Sequence, residues 1–245
     1  SNHLSNQYFQ FKQFTVYQDK CAMKVCTDSC LFGAWLSRWI LEKKDTPKNT
    51  LDIGTGTGLL SLMLAQGNKD QIIDAIEIEE DAFHQASENV SNSTFSQQIF
   101  LHYTSLKNYS TVKKYDLIFS NPPFFENDLK SAESSKNLAK HSVSLPSSEL
   151  IDFISCNLSE TGKAALLIPY QRTDYFIDII NKAGLFTEHI VHVNQTPKHL
   201  FFRTFLLFSR NETTDVTNST ITIKDDENAY TKAFTELLAP FYLNL

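Results

Sequence analysis

A chain of 245 residues that is 42% hydrophobic, with only seven glycines and seven prolines, has the makings of one sizeable globular domain with its own core. Its formal net charge of −6 argues against a protein that coats nucleic acid nonspecifically, because phosphate binding relies on neutralisation by Lys and Arg. No apolar stretch approaches the ~20 residues of a membrane helix, and the N-terminus lacks the basic-then-apolar build of a signal peptide, so the chain reads as cytoplasmic with no membrane partner.

From the N-terminus, aromatic and β-branched residues recur at Phe9, Phe11, Phe14 and Val16, which predicts a short strand or hairpin. Cys21, Cys26 and Cys30 follow without the paired C-x-x-C spacing of a structural zinc site. They read as small apolar core residues, and no metal is expected. Thr27-Asp28 is placed to cap a helix whose face includes Leu31, Ala34, Trp35 and Trp39. A polar linker over 43–49 sets this N-terminal extension, residues 1–45, apart from a main domain over 46–245. There, strands are expected near 50–53, 71–77, 98–103, 115–120 and 163–168, and helices near 58–66, 80–91, 147–158 and 172–183. Such alternation implies a parallel sheet with right-handed crossovers, and ligands bind at the C-terminal edge of such a sheet. The polar stretch 126–142 lacks periodicity and reads as a loop that orders when substrate arrives. Residues 190–193 and 200–208, joined by a turn at Pro197, would complete the sheet with an antiparallel pair. A polar stretch at 211–219 precedes a last strand, Thr220-Ile221-Thr222-Ile223, and a terminal helix carrying Tyr230, Phe234, Leu237 and Leu238.

Three motifs fall at strand ends. In Leu51-Asp52-Ile53-Gly54-Thr55-Gly56-Thr57-Gly58 a strand runs into a glycine-rich turn and a helix N-terminus, where backbone can approach a nucleotide-like ligand closely. A dinucleotide fingerprint would be G-x-G-x-x-G. Here the glycines alternate and an acid lies two positions upstream, which resembles the first motif of S-adenosylmethionine-dependent methyltransferases. Glu77 stands 77 − 58 = 19 residues after the last glycine, close to the roughly 20-residue offset at which a carboxylate meets ribose hydroxyls. Asn121-Pro122-Pro123-Phe124 ends the apolar run Tyr115-Asp116-Leu117-Ile118-Phe119-Ser120, and two prolines cannot continue its ladder. In the rigid loop that results, the Asn121 side-chain carbonyl and the Pro122 backbone carbonyl can accept both N–H bonds of one planar amine, with Phe124 stacking on it. Lys12, Lys20, Lys24, Lys113, Lys114, Lys130, Lys136 and Lys140 flank these motifs. They form a patch at the mouth of the site or a set of scattered solvated lysines, depending on the fold.

With these residues in view, the chain resembles the bacterial tRNA1(Val) adenine N6-methyltransferase family of class I methyltransferases. The likeness rests on Phe11-Lys12-Gln13-Phe14, Cys21-Ala22-Met23-Lys24-Val25, Thr27-Asp28, Leu31-Phe32-Gly33-Ala34-Trp35, the Asp52 to Gly58 turn, Asp74-Ala75-Ile76-Glu77, Ser120 to Phe124, and Phe241-Tyr242-Leu243. It implies an α/β, Rossmann-like fold: a mostly parallel seven-stranded sheet with one antiparallel strand and helices on both faces. It implies methyl transfer from S-adenosyl-L-methionine to N6 of the adenine immediately 3′ of the anticodon, position 37, in a valine tRNA, with tRNA as partner and no obligate protein partner. By position it assigns Asp52, Gly54, Gly56, Gly58, Glu77 and Asp28 to the cofactor, with Ser105 standing where relatives commonly have an acid for the cofactor adenine. It assigns Asn121, Pro122, Pro123 and Phe124 to catalysis, Phe125 to stacking with Phe124, and Lys24, Lys140 and His141 to the RNA. The Asn-Pro-Pro-Phe motif alone also suits a protein glutamine, an rRNA guanine N2 or a DNA adenine N6, and a noncatalytic RNA-binding module remains a further alternative.

Overall fold

The computed structural model describes residues 7–43, 46–123 and 146–245. Eight strands make the main sheet: β3 (Asn49–Ile53), β4 (Ile72–Glu77), β5 (Ile99–Tyr103), β6 (Tyr115–Ser120), β7 (Leu158–Pro169), β8 (Phe186–Asn194), β9 (Phe201–Ser209) and β10 (Thr217–Thr222). Their spatial order is β10-β8-β9-β7-β6-β3-β4-β5, and β9 alone runs against its neighbours β7 and β8. The expected seven-stranded sheet with one antiparallel strand is therefore present, and β10 adds an eighth by pairing parallel to β8, from Thr217↔His189 to Thr222↔Asn194. Thr217 to Thr220 are exposed, so the start of this edge strand has the polarity of a loop.

Two apolar layers sandwich the sheet, as burial on both faces of a parallel sheet requires. On one face lie α1 (Thr27–Leu41), α2 (Leu59–Gly67), α3 (Glu80–Ser91) and α6 (Lys232–Leu238), packed through Leu31, Phe32, Leu62, Val90 and Phe234 onto Leu117, Phe119, Leu167 and Phe205. On the other, α4 (Ser147–Asn157) and α5 (Thr173–Lys182) bring Leu150, Ile154, Phe176 and Ile180 onto Ile53, Ile118, Leu166 and Leu206. Contact between α1 and α2 depends on Gly33, where a Cβ would stand 2.6 Å from Met63 Sδ. Among the described residues no helix is long and apolar enough to cross a membrane.

The N-terminal hairpin, β1 (Tyr8–Gln10) with β2 (Thr15–Tyr17), joins the first layer. Phe11 bridges to Tyr242, and Tyr17 exchanges two 2.9 Å hydrogen bonds with the Asn89 carboxamide on α3. The same carboxamide donates to Thr57 O at 2.8 Å, tying the hairpin to the glycine turn.

Several local expectations are corrected. Cys26, not Thr27 or Asp28, is the N-cap of α1, with extended backbone and no side-chain cap bond; the Asp28 carboxylate is drawn away to Arg203. Cys21 and Cys30 are buried as read, whereas Cys26 is exposed. Strand β7 starts at Leu158, directly after α4. Tyr230 precedes α6, which Thr231 caps by accepting from Phe234 N at 3.2 Å, and its ring stacks on Phe234 at 4.5 Å.

Candidate active site

Strands β3, β4 and β6 end along one edge of the sheet, and there a cavity of about 490 Å³ opens between their loops, the Cys21-Ala22-Met23 segment and the start of α4. Its floor is the glycine turn. Gly54 and Gly56 adopt φ +71° and +58°, which L side chains rarely adopt. A Cβ on Gly54 would meet nothing within 4 Å and one on Gly56 only Cys21 Sγ at 4.0 Å, so both would project into open space that a ligand can use. Gly54 N and Thr55 N donate to Ile76 O at 2.9 and 3.0 Å, which pins the turn to β4. Gly58, at φ +88°, is the N-cap of α2 and lies off the cavity wall.

Asp52 is buried behind this turn, and its Oδ2 accepts from Thr55 Oγ1 and Ser61 Oγ, both at 2.7 Å. Its Oδ1 is buried with no partner among the described residues. Burial pushes the carboxyl up to about 6, against the pull of the two hydroxyls. Glu77 lines the cavity and is held by three backbone amides: Gly56 N to Oε1 at 2.8 Å, and Ile78 N and Glu79 N to Oε2 at 2.9 and 3.0 Å. Burial raises its pKa too, these bonds opposing the rise. Ser105 lines the cavity beside Thr104 and Leu106, its Oγ accepting from Asn108 N at 3.1 Å.

Pro122 and Pro123 form the wall beyond β6. Asn121 is half-buried; its Nδ2 donates to Ser29 Oγ at 2.9 Å, and its Oδ1 is buried without a partner among the described residues. Asp28 does not line this cavity: its Oδ2 accepts from Arg203 Nε at 2.8 Å and its Oδ1 from Ser29 N at 3.1 Å. The Lys24 ammonium donates to Gln18 O beside the Cys21–Met23 wall. Phe124, Phe125, Lys140, His141 and the polar loop 126–142 lie outside the described residues. Sequence reasoning missed Thr55 and Ser61 as supports of Asp52, and Ser29 as the partner of Asn121. The first two sit inside the glycine motif and its helix, but Ser29 is 92 positions from Asn121 and no local pattern links them.

A family described as the Methyltransferase small domain matches residues 35–147. Over 245 residues, 99% of this chain and 100% of the relative, the chain is 42% identical to the tRNA1(Val) (adenine(37)-N6)-methyltransferase of Cytophaga hutchinsonii. It is 39% identical over 246 residues to the enzyme of the same name from Christiangramia forsetii, again covering 99% and 100%. The chain belongs to the tRNA1(Val) adenine N6-methyltransferase family. Solved structures support the fold: a predicted O-methyltransferase from Agrobacterium tumefaciens superposes with a TM-score of 0.66 at 14% identity, covering 89% of this chain and 100% of that one. A ribosomal protein L11 methylase from Lactobacillus delbrueckii subsp. bulgaricus gives 0.52 at 20% identity, covering 74% and 78%.

The methyl donor of this enzyme family is S-adenosylmethionine, and the residues present fit it. The open glycine cradle would be filled by any Cβ, the cavity lies within the roughly 300–1,000 Å³ of small-ligand sites, and Glu77 and Glu79 on its wall suit a cationic ligand without phosphates.

Proposed function

We propose that this chain transfers the methyl group of S-adenosylmethionine to N6 of adenine 37 in a tRNA1(Val), in the cytoplasm, with tRNA as its macromolecular partner and no obligate protein partner. The observation that carries the reading is the Asn121 amide: a buried side-chain oxygen without a partner among the described residues, at the strand end beside the cofactor cradle. A buried acceptor left open costs free energy unless something fills it. An exocyclic amine would, and the names of the full-length relatives indicate which amine.

When bound, S-adenosylmethionine supplies an electrophilic methyl group on a positively charged sulfur. The glycine turn, with Glu77 at the ribose and Ser105 toward the adenine ring, would hold it. Asp52 would act from behind the turn, through Thr55 and Ser61. An adenine amine is a weak nucleophile because its lone pair is delocalised into the ring, yet it needs no deprotonation before attack. Asn121 Oδ1 and Pro122 O, accepting its two N–H bonds, would favour a pyramidal nitrogen and stabilise the positive charge that develops there. Both acceptors are neutral and keep no proton, so the proton that the methylated nitrogen must lose passes to solvent. Fixing the amine against the methyl group supplies much of the remaining acceleration. The base must leave its stack to reach the clamp, and Phe124 and Phe125 would take over stacking worth about 1–3 kcal/mol per base. Lys24, Lys140 and His141 are assigned to the RNA backbone.

The test is incubation with labelled cofactor and unmodified tRNA, then mass spectrometry of the nucleosides, with purified release factor as a competing acceptor. N6-methyladenosine at position 37 is expected. Label on a protein glutamine, or on no acceptor, would overturn the reading.

A further inference from the structure

We infer that Ser29, in the first turn of α1, is a positioning residue that sets which end of the Asn121 amide faces the substrate; this rests on the amine-clamp reading above. A carboxamide can turn over, exchanging its oxygen for its NH2 group, and only one orientation offers an acceptor to an incoming amine. In this structure Nδ2 donates to Ser29 Oγ at 2.9 Å, and Oδ1 is left buried with no partner among the described residues. Turned over, the amide would bury its two N–H donors where Oδ1 now finds no partner, and the clamp would repel the amine it is built to hold.

The surroundings of Ser29 support this orientation. Its hydroxyl lies 3.0 Å from Cys26 Sγ, a contact in which either atom can donate; with the hydroxyl donating to sulfur, the oxygen lone pairs are left for Asn121. Its backbone N donates to Asp28 Oδ1 at 3.1 Å, and Asp28 Oδ2 accepts from Arg203 Nε on β9 at 2.8 Å. Ser29 and Asp28 are both buried. The first turn of α1 is therefore anchored to the sheet through an ion pair while its serine reaches the end of β6. An amide held this way needs no reorganisation when substrate arrives, which is the condition for electrostatic stabilisation to act on the rate.

The measurement is steady-state kinetics with tRNA, beside calorimetric cofactor affinity and thermal melts. Ser29→Ala should lower kcat by about tenfold, the worth of one orienting hydrogen bond, with KM for tRNA and cofactor affinity within twofold. Ser29→Thr, which keeps the hydroxyl, should recover most of the rate. Ser29→Val, nearly the same shape as Thr, should not, so this pair reads the hydroxyl even if packing suffers in both. Wild-type kcat in Ser29→Ala, equal rates in the Thr and Val variants, or a loss confined to cofactor affinity would each overturn the inference. Asn121→Ala in the same assay separates the two levels: full turnover there removes the clamp reading itself, whereas a dead Asn121→Ala beside an unaffected Ser29→Ala removes only the role of Ser29.

Discussion

The two edges of the sheet each carry a cavity, and in the larger one the bordering carboxylates are already paired. At the edge where the strands begin, a cavity of about 620 Å³ is bordered by Trp39, Lys43, Lys48, Asp116, Lys163 and Glu188. Its carboxylates are already committed. Glu188 takes the Lys163 ammonium at 2.6 and 2.9 Å and Ser209 Oγ at 2.7 Å. Asp116 accepts from Lys48 N, Asn49 N and Ser159 Oγ. At the opposite edge the cavity of about 490 Å³ has a floor of backbone without side chains, while Asp52 and Asn121 beside it each keep a buried oxygen without a partner among the described residues. The larger cavity also has an unpartnered group among the described residues, the Trp39 ring N–H, but that group is a donor, whereas the smaller edge leaves acceptors open, the kind of atom an incoming amine can use.

If this contrast is right, the two edges answer mutation differently. The largest effect belongs to Asn121→Ala: kcat should fall by about 10²–10³, the range for losing a preorganised group at the developing charge, with cofactor affinity by calorimetry nearly unchanged. Retained turnover would erase the difference between the edges. Next comes the pH dependence of stability. Burial raises the Asp52 carboxyl from 3.8 to about 6, so between about pH 4 and 6 the folded chain holds a proton that the unfolded chain has released. This group's contribution is full below about pH 4 and lost as pH rises through 6. Urea unfolding should therefore show Asp52→Asn gaining on the parent chain by on the order of 2 kcal/mol from pH 4 to 8; a pH-independent difference would mean the open oxygen is solvated. The smallest effect is at the other edge, where Glu188→Gln should cost about 1 kcal/mol of stability by urea unfolding, since the pair is only partly buried, and leave kcat within twofold. A larger loss of activity would show that this edge also serves the reaction.

Much of the site was legible in the sequence because parallel topology carries strand ends to a common edge. The turn after β3, Glu77 after β4 and Asn121 after β6 needed only strand alternation to be brought together. What escaped was what packing alone decides. Asp28 lies 175 positions from Arg203, and its short acidic side chain at a helix start is equally the signature of a cap or a ligand. The place of Asp52 behind the turn follows from Thr55 and Ser61 folding back onto it, which the glycine spacing alone does not show. The full extent of β10 escaped because its outer half is polar and exposed, while only Ile221 and Ile223 pack into the core.

That eighth strand also changes what the edge of the sheet offers to another chain. A sheet ending at β8 would present an unpaired strand of Ile190, Val191 and Val193, a template for pairing with another chain. With β10 in place, the outermost strand begins Thr-Asn-Ser-Thr, short and of low β-aggregation tendency apart from its threonines. The polar segment that hid the strand from sequence reading thus acts as a guard on the sheet, keeping a long apolar edge from recruiting copies of itself in a crowded cell.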